Sequence, residues 1–236
     1  MSRHEEFLRR FRRLEGHLRR LIEKEKASFS EMLQVAKRKN PIFRQYENTL
    51  RAIADMRNFL SHEEDGERLA IPTEHAITCL DRILTALESP PSVIPRFQRE
   101  VVTVTSDDPI GKAVKLMYQN NFSQVPVLDE QDQVIDLLTT NTIARWLGAM
   151  VEEDIFSLQE TKVRDVLKFC ERDAEVWASL PRNASLFEVV QRFEETHQQG
   201  KRLVALLITH SGKRHEKLLG IITPWDLAAL YQEIQT

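Results

Sequence analysis

The stretch Leu218–Leu230, reading LLGIITPWDLAAL, decides the fold of the C-terminal half. Apolar residues around Gly220 run into Thr223, and Pro224, Trp225 and Asp226 then open a second apolar pattern. The first part predicts a buried strand, because β-branched Ile221 and Ile222 suit a pleat. The second predicts a helix capped by Thr223, with Pro224 at a first position that has no use for an amide hydrogen. Thr223 and Asp226 lie three apart on that turn, so hydroxyl and carboxylate share a side next to a positive helix end. A phosphate or sugar hydroxyl placed there meets a donor, an acceptor and free backbone amides.

The same pattern occurs twice. Val134–Leu147 (VIDLLTTNTIARWL) is again an apolar strand, a hydroxyl residue at Thr139 and a helix with Trp146. Thr139 and Thr223 are 84 apart (223 − 139). Upstream, Asp108–Met117 (DPIGKAVKLM) is echoed by Ala184–Phe193 (ASLFEVVQRF), 76 apart (193 − 117). A longer link and a longer hairpin around Ser211-Gly212 in the second copy account for the drift. Each copy reads strand–helix–strand–strand–helix and is too small to bury its own sheet, so the two should pack face to face.

These residues make the region from about Phe97 onward similar to a tandem pair of CBS (cystathionine β-synthase) domains. The likeness is carried by Gly220-Ile-Ile-Thr-Pro-Trp-Asp226, by Phe122-Ser-Gln-Val-Pro-Val-Leu-Asp129, by the Val101-Val-Thr-Val-Thr lead-in and by Lys162-Val-Arg-Asp-Val-Leu167. It implies small β-sheets with flanking helices about a pseudo-two-fold axis. It also implies two clefts, one or both binding an adenosyl ligand such as AMP, ADP or ATP. On that pattern Thr223 and Asp226 form one nucleotide cleft, Phe122 and Ser123 complete it with an aromatic face and a hydroxyl, and Arg99 and Val102 form its floor. The second cleft departs from the pattern. Thr142 stands at the position of Asp226, Asp136 at that of Gly220, and Lys201 and Arg202 replace Phe122 and Ser123 near Thr139. Without a carboxylate for the ribose hydroxyls, nucleoside affinity there should fall, while the added cations suit phosphates. Trp146, Trp177 and Trp225 read as core, with Trp225 alternatively flanking a ligand.

The 236 residues leave room for one further domain ahead of this pair. No apolar run approaches a membrane span, and two cysteines, Cys79 and Cys170, make no disulfide framework, so a cytoplasmic protein is expected. Net charge is −3 but uneven. Residues 1–60 carry 15 Lys and Arg against 8 Asp and Glu; the rest carry 18 (33 − 15) against 28 (36 − 8). The first part therefore suits a polyanion, although a solvated basic helix face gives the same count.

In that basic part Phe7, Phe11, Leu14, Leu18, Leu21 and Ile22 step by fours and threes, a helical stripe with arginines opposite. A second helix follows through Phe29–Ala36, a long third from Pro41 to Leu60, and a fourth after Pro72. Met56–Glu63 closes the third helix with Arg57, Asn58 and His62, and Asn58 and His62 are four apart on one face. This resembles the R-N-x-x-x-H signature of HEPN domains, small all-α bundles that are often metal-independent ribonucleases pairing two subunits across one basic cleft. In such chemistry His62 would exchange a proton near neutrality, Arg57 would meet the charge building on the phosphate, and Asn58 would orient either. Arg10, Arg13, Lys37, Arg38 and Lys39 would hold an RNA backbone. The plainer account makes His62 a helix C-terminal cap and Arg57 a surface cation.

The expected architecture is thus an α+β multidomain chain. Residues 1–88 form an all-α four-helix HEPN-like domain and 89–96 a proline-rich linker. Residues 97–236 form a CBS pair, with copies over 97–150 and 175–236 joined by 151–174. The expected function is an adenine-nucleotide sensor regulating a metal-independent endoribonuclease or RNA-binding domain, in a homodimer away from membranes. No cofactor is needed for the chemistry, and the adenosyl nucleotide is a regulatory ligand. The alternative is a non-catalytic energy sensor whose helices only dimerise or bind a protein.

Overall fold

The computed structural model describes residues 2–22, 27–62, 70–151 and 157–235, with the side chains of His62 and Gln235 outside that description. The chain divides into two units, Met1–Pro91 and Ser92–Thr236.

In the first unit, α1 (Arg3–Arg20) starts at a capping box in which Ser2 and Glu5 satisfy each other's amides. Ser28 and Glu31 do the same for α2 (Phe29–Lys39). The stretch expected as one third helix is two, α3 (Pro41–Gln45) and α4 (Glu47–His62). Tyr46 bends the chain between them at φ −100° and ψ 15°. Its N–H still reaches the Ile42 carbonyl (3.1 Å) and its carbonyl accepts from Leu50 (2.8 Å), so Tyr46 itself stays hydrogen-bonded through the bend. Thr73 caps α5 (Glu74–Glu88) by accepting the Ala76 amide. The apolar stripes meet as their spacing predicts: Phe7, Phe11, Leu14 and Leu18 of α1 join Leu33, Phe43, Leu50, Leu80 and Ile83 in one core. Leu14 is fully buried, so Leu14→Ala should cost about 2–5 kcal/mol of this unit's stability. Outward Arg12→Ala should change it by no more than about 0.5 kcal/mol. Denaturant unfolding followed by circular dichroism checks both.

The second unit is two sheets of like wiring. The first copy runs β1 (Val104–Thr105), α6 (Ile110–Asn120), β2 (Gln124–Leu128), β3 (Val134–Thr139) and α7 (Thr140–Met150). The short helix α8 (Val163–Val166) follows, and Val163 and Val166 fill the core beneath the first sheet. The second copy runs β4 (Glu175–Pro181), α9 (Leu186–Gln198), β5 (Arg202–Thr209), β6 (Gly220–Ile222) and α10 (Leu227–Gln235). In each sheet the first strand is parallel to the second and the third is antiparallel to it.

The copies differ in their first strands. β4 pairs with β5 over its whole length, whereas β1 pairs with β2 only through Val104 and Thr105. The segment before β1 runs along the other copy instead: the Arg99 amide donates to the Leu219 carbonyl (3.1 Å) and its guanidinium to the Ile221 carbonyl (2.6 Å). Gly220 makes this approach possible, because a Cβ there would overlap the Phe97 carbonyl oxygen. In the first copy Asp136 fills the matching place, and side chains rather than a carbonyl approach it: Trp177 Nε1–H (3.2 Å) and Arg172 (3.4 Å). Gly220→Ala should therefore lower the stability of this unit by about 1–3 kcal/mol. It should also speed hydrogen exchange at the Arg99 amide, and unaltered exchange there would count against the close approach.

Candidate functional site

Thr223 ends β6, and the chain turns at once into a 3₁₀ turn, Pro224–Asp226, before α10 begins. Asp226 Oδ2 accepts from both the Thr223 amide (2.7 Å) and the Thr223 hydroxyl (3.1 Å), and the Asp226 amide donates to the Thr223 carbonyl (3.0 Å). Three bonds in one turn fix the carboxylate, and Oδ1 makes none among the described residues. It stands on the wall of a cavity of about 600 Å³. All six residues expected there line it together: Arg99, Val102, Phe122, Ser123, Thr223 and Asp226. Phe122 and Val102 are about two-fifths exposed, an apolar face left open to the cavity. The peeled lead-in Arg99–Val102 forms one wall, so the cavity exists because that segment does not join the first sheet.

Trp225 does not belong to the core. It is 85% exposed and lines this cavity, whereas Trp146 is buried. Pro224 and the Thr223–Asp226 bonds hold its backbone in the turn and leave the indole outside.

A second cavity of about 550 Å³ holds the other cleft, and Thr139, Lys201 and Arg202 line it as expected. Thr142 does not. It is buried, with its amide (3.1 Å) and hydroxyl (3.0 Å) against Thr139 Oγ1, because the helix cap consumes it. The expected lack of a carboxylate is also corrected. Glu175, from the start of β4, accepts the Thr139 hydroxyl at 3.1 Å inside the cavity. Arg202 pairs with that same Glu175 (2.9 Å) and with Glu171 (3.5 Å), so its charge is already answered. Lys201 makes no ion pair among the described residues. Tyr231 donates to Glu194 (3.0 Å), and burial beside that carboxylate pushes the phenol up to about 12. Sequence reading missed Glu175 because it lies 36 residues from Thr139 and meets it only across the two copies.

In the helical unit Arg57 donates to Asn58 Oδ1 (3.2 Å) and its guanidinium lies 5.6 Å from the Phe11 ring centre. Both border a cavity of about 520 Å³ that also contains Arg51, Asp55 and Glu15. The side chain of His62 lies outside the described residues. Four of the five cations expected to hold RNA are already engaged, Lys39 by donating to the Leu21 carbonyl (2.7 Å). Arg10 bonds Asp81 (2.6 Å) and Glu6 (2.8 Å), Arg13 bonds Glu88 (2.8 Å), and Lys37 bonds Glu47 (2.6 Å). The bond from Lys37 holds the Glu47 carboxyl below its usual range. Among the described residues no group of His, Cys, Asp and Glu is arranged to hold a metal, and no helix is long and apolar enough to cross a membrane.

Residues 96–149 match the family model of the CBS domain. A protein of Methanopyrus kandleri, MK0525, described as uncharacterized, is 28% identical over 102 residues, 41% of this chain and 51% of the relative. The chain thus spans about half the length of that relative. Among solved structures, the CBS domain pair of MJ0100 in complex with 5′-methylthioadenosine and S-adenosyl-L-methionine is 14% identical. It covers 61% of this chain and 98% of its own, with a TM-score of 0.43. CbpB in complex with c-di-AMP is 12% identical, covers 66% of this chain and 92% of its own, and has a TM-score of 0.44. The first copy of the repeat is the part of the chain that carries the CBS domain match.

Proposed function

We propose that the second unit is a tandem CBS pair that senses an adenine nucleotide, and that it regulates the helical unit ahead of it. The observation that supports this most is the fixed carboxylate of Asp226 on the wall of a cavity with an apolar, aromatic side. A nucleoside divides in the same way. Its base seeks the open apolar face of Phe122 and Val102, and its vicinal hydroxyls donate to a carboxylate already oriented by Thr223. Because Thr223 and its neighbours hold the acid before any ligand arrives, little ordering is left for binding to overcome. The first cavity is the better site for ribose, since Asp226 keeps an oxygen without a partner whereas Glu175 is neutralised by Arg202. Isothermal titration of the full chain with AMP, ADP and ATP should show binding, and Asp226→Ala should weaken it. A charged hydrogen bond of this kind is worth about 1.5–3 kcal/mol, or roughly tenfold to a hundredfold in affinity. Equal binding by the variant would sink the assignment.

For the helical unit we propose a HEPN-type, metal-independent action on RNA, in a homodimer. The reading is supported by Arg57 and Asn58 lying together at the end of α4 on an open cavity. The pairing of Arg10, Arg13 and Lys37 with carboxylates leaves Arg38 and the outward arginines of α1 as the cations for a phosphate backbone. Labelled RNA incubated with the wild type should be cut, and with His62→Ala it should survive. No cleavage by either leaves the helices the alternative role of holding a partner protein or a second copy.

A further inference from the structure

A third cavity of the second unit, of about 830 Å³, lies along the lead-in ahead of β1. Every residue from Gln98 to Thr103 except Val102 lines it. Asp132 comes to it from the turn joining β2 to β3, and His215 and Lys217 from the loop between β5 and β6. Both loops are fixed by a carboxylate. Asp129 Oδ1 accepts the amides of Gln131 and Gln133 (each 2.9 Å), and Glu216 Oε2 accepts those of Ser211 (2.6 Å) and Lys213 (3.4 Å). The walls are therefore set before any ligand arrives.

The lead-in supplies unmet bonding. Among the described residues the amides of Glu100, Val101, Val102 and Thr103 donate no backbone hydrogen bond. Val101, Val102 and Thr103 are nevertheless three β-branched residues in a row, which suit a strand. Unpaired main chain of that kind is a template for another extended chain, whose donors and acceptors recur at the same spacing. The exposed side chains add a second requirement. Asp132 and Lys217 line one cavity yet form no ion pair among the described residues, so acid and base stand apart. A nucleotide fits this poorly, because Glu100 and Asp132 oppose its phosphates. We infer that this groove binds a linear peptide segment of a partner protein, added as a strand to residues 100–103. An acidic side chain of the peptide meets Lys217 and His215, and a basic one meets Asp132. The inference stands apart from the adenosine reading, although Arg99, Glu100 and Val101 line the first cavity too.

The test is selection of a random hexapeptide library on the full chain, with the Asp132→Lys, Lys217→Glu double variant as counter-screen. Both positions are exposed, so the double variant should unfold like the wild type. Enriched peptides should carry an acid and a base at separate positions and slow hydrogen exchange of the 100–103 amides. They should bind the double variant about tenfold more weakly, and methylating alternate backbone nitrogens of the best peptide should cost about tenfold or more. No enrichment, equal binding by the double variant, or indifference to methylation would overturn the inference. Protection of the 100–103 amides that rises with protein concentration in the absence of peptide would give the groove to a second copy of the chain, and overturn it as well. Asp226→Ala should leave peptide binding unchanged, so either reading can fail while the other stands.

Discussion

The Phe97 carbonyl lies against Gly220 with no room for a side chain, and that approach sets the plan of the second unit. It ties the lead-in of the first copy to the last strand of the second, where Arg99 adds bonds to Leu219 and Ile221. Held there, residues 99–103 cannot pair with β2, and only Val104 and Thr105 join the first sheet. The gap left between lead-in and sheet is the first cavity, so a steric fact about one glycine becomes a binding site. The same contact ties the two copies together, as do the bonds from Gln124 to Val204 and from Trp177 to Asp136.

The second copy shows what happens when the constraint is absent. Asp136 occupies the place of Gly220, and its carboxylate takes bonds from Leu137, Trp177 and Arg172. The lead-in is therefore free to form β4, and Glu175 at its start is carried into the cleft beside Thr139. One cleft thus keeps an acid with an oxygen to spare, and the other keeps an acid already balanced by arginine. Two copies of one pattern become two chemically distinct cavities, both bordered by Trp225.

Charge in the helical unit follows the same logic of local commitment. The surplus of cations over residues 1–60 suggests a basic face, but α1 and α5 spend part of it on each other through Arg10–Asp81 and Arg13–Glu88. Such exposed or half-exposed pairs add little stability each, yet they remove those side chains from any surface offered to a polyanion.

Local rules set by neighbouring residues were legible in the sequence. The apolar stripes of the helices, the two strand–Thr–helix passages and the Thr223–Asp226 pair all follow from periodicity and capping, which act over three or four residues. The six residues of the first cavity were likewise reached from motif positions. Tertiary structure alone decided the rest. Tyr46 bends a helix that the pattern reads as continuous, Thr142 is withdrawn into a cap, Glu175 arrives from another strand, and Trp225 is left outside the core. These outcomes depend on which distant groups compete for the same space or the same hydrogen bond, and that competition is settled only when the copies meet.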